Sequence, residues 1–294
     1  MSALGLLNGA LVWGLIWYPM RILQDDGISA ELTSLLIYLM ALVLGSAAFG
    51  SAYREFRTHA RALLLIGFSA GWANLAYGLA VVHGEVMRVL LLFYLAPLWT
   101  VILARVLLGE VLTRYGYVVI GLSLSGALTM LKEPGVIFPI PQNAAEWLGL
   151  SAGVAFAWTN VLARQYADVP LAAKSIAVWW GVTLLAAAVV ALNFAQIEIL
   201  SDATPQHWIW LGVMGFAVWL ATLTVQYGLR GLPASQAIVI LLFELVVAAI
   251  SSYFLAAESL SAREWAGAAM IIAASLFSGK LDAKVDRNDA AKAA

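Results

Sequence analysis

Ten times between residues 3 and 278 the chain runs for roughly 20 residues through apolar side chains before charges, prolines or polar clusters interrupt it. The runs are 3–22, 32–52, 62–82, 86–108, 115–131, 147–162, 171–194, 208–229, 234–256 and 264–278. A helix of that length crosses a bilayer. The expected fold is therefore an all-α integral membrane protein with ten transmembrane helices. Composition agrees: 63% of residues are apolar and 11% charged, where soluble domains have about 45–50% and about 25%. The net charge of -1 gives no signal for nucleic acid, and a chain without cysteine forms no disulfide, thiolate metal site or cysteine nucleophile. No basic region precedes the first apolar run, so that run is expected to stay as a helix and not to leave as a signal peptide.

One hairpin occurs twice. The run containing Tyr94, Pro97 and Trp99 ends at Gly109-Glu110-Val111-Leu112-Thr113, and the run containing Phe243-Glu244-Leu245 ends at Glu258-Ser259-Leu260-Ser261. Other matches fall in the same order: Gly5 and Gly9 with Gly149 and Gly153, Gly67-Phe68 with Gly215-Phe216, and Tyr77-Gly78 with Tyr227-Gly228. Five helices per repeat is an odd number, so the second repeat must lie upside down relative to the first. Inverted repeats of this kind hold substrate near the midplane, between the halves. The units are residues 1–132, a proline-rich linker at 133–146, residues 147–279, and a polar tail at 280–294 expected to be disordered.

Basic residues collect on the cytoplasmic side of a membrane protein. With both termini cytoplasmic, twelve of the 16 Lys and Arg residues fall inside, and only Arg21, Arg88, Lys132 and Arg263 fall outside. A wrong span count would blur this division.

Trp13-Gly14, Pro97, Gly109-Glu110-x-Leu112-Thr113 and Glu258-x-Leu260-Ser261 resemble the drug/metabolite transporter superfamily in its ten-helix form of two EamA-type repeats. The resemblance covers about residues 3 to 279 and is most similar to YddG-type exporters of aromatic amino acids. It departs at Leu245, where the second repeat often has proline. It implies a bacterial inner-membrane carrier that exports amino acids without a cofactor.

Of the 17 acidic residues, Glu244 alone falls near the middle of an expected span. A carboxylate at that depth needs a wet cavity or a partner, so it is read as the titratable member of the site, pairing with a substrate ammonium or a proton. Trp13, Trp17, Tyr77, Tyr94, Trp158 and Trp219 are expected to shape an apolar cavity, with Asn8, Asn74, Asn160 and Gln226 offering hydrogen bonds. For any one of them, helix packing competes with substrate contact. Pro97 removes a backbone donor opposite the carbonyl of Phe93 and is read as a hinge or gate. Glu110 and Glu258, each before a Thr or Ser able to cap the next helix, are read as structural hairpin residues. No Lys or Arg lies near a span centre, which favours a zwitterionic or neutral cargo over a phosphorylated one. The expected partners are the bilayer, an amino-acid substrate and protons, with the chain working as a monomer. No metal site is expected.

Two alternatives stand beside this reading. One is a multidrug or general metabolite exporter on the same scaffold. The other is an intramembrane hydrolase, because Gly67-Phe68-Ser69-Ala70-Gly71 and Gly149-Leu150-Ser151-Ala152-Gly153 both fit G-x-S-x-G. His59, His83 and His207, however, fall at loops and leave no evident base.

Overall fold

The computed structural model describes residues 1–83, 86–131, 141–192, 195–255 and 261–278. Most of the expected linker, the tail and Glu258 lie outside the described residues. All regular structure among these residues is helical. The first half contains α1 (Ser2–Asp25), α2 (Ala30–Ala48), α3 (Ala60–His83), α4 (Val86–Phe93), α5 (Ala96–Leu108) and α6 (Arg114–Leu131). The second contains α7 (Ala144–Gln165), α8 (Leu171–Leu192), α9 (Pro205–Gly231), α10 (Ala234–Leu241), α11 (Phe243–Leu255) and α12 (Ala262–Ser278). Among the described residues six stretches are long and apolar enough to cross a membrane: Ser2–Asp25, Ala30–Ala48, Ala60–Ala80, Leu171–Leu192, Pro205–Gly231 and Ala234–Leu255.

Local sequence sets the helix ends. Ser29 caps α2 by accepting the Leu32 N–H at 3.2 Å. Asn143 caps α7 by accepting the Glu146 N–H at 3.0 Å, while the Glu146 carboxylate turns back to the N–H of Gln142 at 2.8 Å. Gly109 stops α5 in the left-handed region at φ 69°, which allows the Glu110 N–H to reach the Ala104 carbonyl at 3.2 Å.

Two apolar runs expected as single helices are each divided. In 86–108 the division falls just before Pro97, whose ring clashes with the carbonyl four residues back. In 234–256 no proline is present. There the Leu245 N–H bonds the Leu242 carbonyl at 3.1 Å, a tighter turn than the helix on either side.

Helices of one half pack chiefly on helices of the other. α3 lies on α7 and α8, α9 lies on α1 and α2, α2 meets α8, and α6 meets α12. α4 and α5 both contact α7, as α10 and α11 both contact α1. Exchanging α1 with α7, α2 with α8, and so on through α6 with α12 returns the same set of pairs. The pattern breaks at α10, which packs on both α5 and α6, whereas among the described residues α4 shows no comparable contact with α11 or α12. The largest apolar cluster joins α2, α3, α8 and α9 around Trp179, which is fully buried. At the α5/α10 end, Ala104, Val161 and Ala234 close the centre with small side chains.

Candidate substrate cavity and its closed end

The break before Pro97 places Tyr94 between two helices, where its hydroxyl donates to Glu244 Oε1 at 2.6 Å. Glu244 is half-buried in the first turn of α11, immediately after the second break. Tyr77 of α3 packs its ring 4.9 Å from that of Phe93 and lies within electrostatic reach of Glu244. The carbonyl that Pro97 leaves without its helical donor, that of Phe93, sits against Gly153 of α7; a Cβ there would lie 2.5 Å from the oxygen. The crevice behind Glu244, bounded by Phe156, Ile238 and Leu241, holds about 10 Å³, space for one water at most.

The other side of this cluster is open. Asn74, one turn before Tyr77 on α3, is exposed, and a Cβ on Gly78 would meet nothing within 4 Å. Asn74 Oδ1 accepts the Tyr38 hydroxyl at 3.1 Å, and the Trp13 side chain lies beside the same hydroxyl. Trp13, Asn74, Tyr77, Tyr94 and Glu244 thus form a linked set drawn from α1, α3, the α4/α5 break and α11, which Tyr38 of α2 joins. Sequence reading passed over Tyr38. Its signal was a lone phenol in the middle of an otherwise aliphatic run.

The remaining site residues expected from sequence lie elsewhere. Asn8 donates to Thr224 Oγ1 at 2.9 Å and ties α1 to α9. Trp17 donates to Ser251 Oγ at 2.9 Å, and Ser251 donates to the Gly14 carbonyl at 3.2 Å, tying α1 to α11. Trp219 stacks on Phe49 with ring centroids 6.5 Å apart. Asn160 and Gln226 are buried, and neither Asn160 Nδ2 nor Gln226 Oε1 has a hydrogen-bond partner. Thr100 Oγ1 and Gln236 Oε1 share that condition and were not singled out from sequence.

Trp158 lines a separate apolar groove of about 390 Å³ between α3, α5 and α7, with Phe68, Trp72, Trp99, Trp147 and Leu150. The hydroxyls of both G-x-S-x-G matches are engaged in packing there. Ser69 donates to the Ile66 carbonyl at 3.2 Å and accepts from Thr159 at 2.8 Å; Ser151 donates to the Leu148 carbonyl at 2.8 Å and accepts the Trp72 indole N–H at 3.2 Å. His59 pairs with Glu55 and His207 with Asp26. Among the described residues no cluster could hold a metal ion.

At the closed end, the Glu110 carboxylate faces the leading backbone N–H groups of α10, those of Ala234 and Ser235, although Oε2 is buried with no partner of normal geometry. Arg164 Nε stands 4.0 Å from Oε1 and donates through Nη1 to the Arg230 carbonyl at 2.6 Å. Burial pushes the Glu110 carboxyl above its usual range; the Ala234 N–H, the Arg164 charge and the Ser235 N–H each pull it back. Nearby Lys174 is fully buried, its ammonium on the carbonyls of Ala163 at 2.9 Å and Tyr166 at 3.1 Å, where it caps the end of α7.

A model of the EamA-like transporter family matches the chain in two segments, residues 1–132 and 143–279. A solved structure described only as a crystal structure of a protein has a TM-score of 0.71, covering 94% of this chain and 96% of that one at 16% identity, a likeness of fold. No curated protein matches the chain.

Proposed function

The chain belongs to the EamA-like transporter family, and from that premise we propose that it exports aromatic and other apolar amino acids by alternating access. Membership makes it a multi-pass membrane transporter and not an enzyme. The observation that carries the substrate reading is the cluster of Tyr94, Glu244 and Tyr77 at the two helix breaks. It offers one anionic group to a substrate ammonium amid aromatic rings, beside an opening at Asn74 and Gly78. Protons compete with the ammonium for the same carboxylate.

In this reading α4 with α5, and α10 with α11, each cross the membrane once, giving ten spans in two inverted repeats. Two family matches and a packing pattern that survives exchange of the halves both support it. The contact of α5 with α10, without its counterpart at α4 and α11, describes a carrier shut at one end. The distribution of basic residues assigns that end to the cytoplasm, with both termini. The conformation is then outward-open. In a bacterial cell the membrane is the inner one.

The apolar groove beside α5 favours a second reading, a general exporter of small apolar metabolites. Counterflow of labelled Phe in proteoliposomes, with and without a pH gradient, tests the proposal. Competition by Trp and Met but not by a cationic dye is the expected result. Inhibition by the dye alone would replace amino-acid export with the broader reading.

A further inference from the structure

We propose that Glu110 is the latch of the cytoplasmic mouth, and that Thr100, Asn160, Gln226 and Gln236 line the passage its release opens. The inference rests on the carrier reading above. A residue that merely closed its own hairpin would bond within that hairpin. Glu110 instead follows α5 of the first half, stands 4.0 Å from Arg164 Nε of the second half and faces the start of α10, so its contact crosses between the bodies that must part. The backbone N–H groups at a helix start carry partial positive charge and favour an anion. α10 is short and bounded by Pro233 and the break at Leu242, which lets it move as a unit.

The closed end carries its own cost. Thr100 on α5, Asn160 on α7, Gln226 on α9 and Gln236 on α10 are each at most 3% exposed, and each has a buried polar atom with no partner. A buried polar atom forfeits hydration that nothing replaces. Parting α5 from α10 would return water to all four, so the unlatched state recovers what the latched state gives up. Unpartnered buried atoms also occur in the main core, at Thr33, Ser175, Trp179 and Thr183, so it is their place on the helices around the α5/α10 contact that assigns these four to the wall. The balance at Glu110 fits this role, because burial opposes the ionised carboxylate while Ala234, Arg164 and Ser235 support it.

The chain contains no cysteine, so Gln236→Cys would supply a single thiol in the wall. In inside-out vesicles, a membrane-impermeant maleimide is expected to label it slowly in the parent and at least about fivefold faster once Glu110→Ala removes roughly the smallest contact that shifts such an equilibrium. Glu110→Gln, which keeps an acceptor but not the charge, is expected to fall between and remains informative if the alanine variant fails to insert. Equal labelling rates in parent and variants of unchanged elution profile would overturn the latch while leaving the carrier reading in place. A rise seen only in right-side-out vesicles would support the latch and overturn the assigned orientation.

Discussion

Replacing Glu244 with Gln keeps the side-chain shape and leaves an oxygen for the Tyr94 hydroxyl, now 2.6 Å from Oε1. Only the negative charge is lost. A hydrogen bond to a charged group contributes about 1.5–3 kcal/mol, and 1.4 kcal/mol corresponds to roughly tenfold in affinity. Glu244 is half-buried, so solvent screening argues for the lower part of that range. The apparent KM for Phe is therefore expected to rise about tenfold. Counterflow in proteoliposomes measures this directly, and N-acetyl-Phe gives the control because its amide carries no charge. The substitution should leave inhibition by N-acetyl-Phe unchanged. An equal loss for both compounds would mean that Glu244 shapes the cavity without meeting an ammonium. No loss for either would remove it from the substrate site altogether.

Three further outcomes follow from the packing. Pro97→Ala restores an N–H that can reach the Phe93 carbonyl, so exchange should slow with little change in KM; an unaltered rate would argue against a hinge at the α4/α5 break. Gly14→Ala places a methyl group 2.7 Å from Val247 Cβ and 2.8 Å from the Glu244 carbonyl, an overpacking cost of about 1–3 kcal/mol that should displace α11 and lower transport in a folded protein. Lys174→Met strips the Ala163 and Tyr166 carbonyls of their donor. The melting temperature in detergent should drop by the equivalent of about 1–3 kcal/mol, and an unchanged value would show that water replaces the ammonium.

How much of this was legible in the sequence depends on the range of the interaction. The apolar runs and the division at Pro97 are local properties, written in side-chain hydropathy and in one missing N–H. The division at Leu242 has no such mark. It is a tightened turn among aliphatic residues that tertiary packing selects. Glu244 stood out because a carboxylate in an apolar run needs an explanation, yet its partner Tyr94 lies in the other half of the chain, and no spacing rule connects them. Trp13, Asn74 and Tyr77 fell in the same set, whereas Trp158 and Trp219, equally aromatic and equally deep, were directed to a side groove and to Phe49. Which face of a helix turns inward cannot be read when every face is apolar. Glu110 and Lys174 were both visible as charges near helix ends; what each one touches belongs to a neighbouring helix.

The crossing of α3 with α8 has a consequence for how the halves can move. Gly67 and Gly71 bring one backbone against Ala177 and Gly181 of the other, with only the Leu185 side chain reaching in beside Gly71. Surfaces built from side chains resist sliding, because each interlocked group must leave its slot and find another. Two bare strips of main chain lack such teeth. They can turn against each other like a smooth bearing, holding the distance between the units fixed while their tilt varies, so a place of close backbone contact is also one where rotation meets little friction.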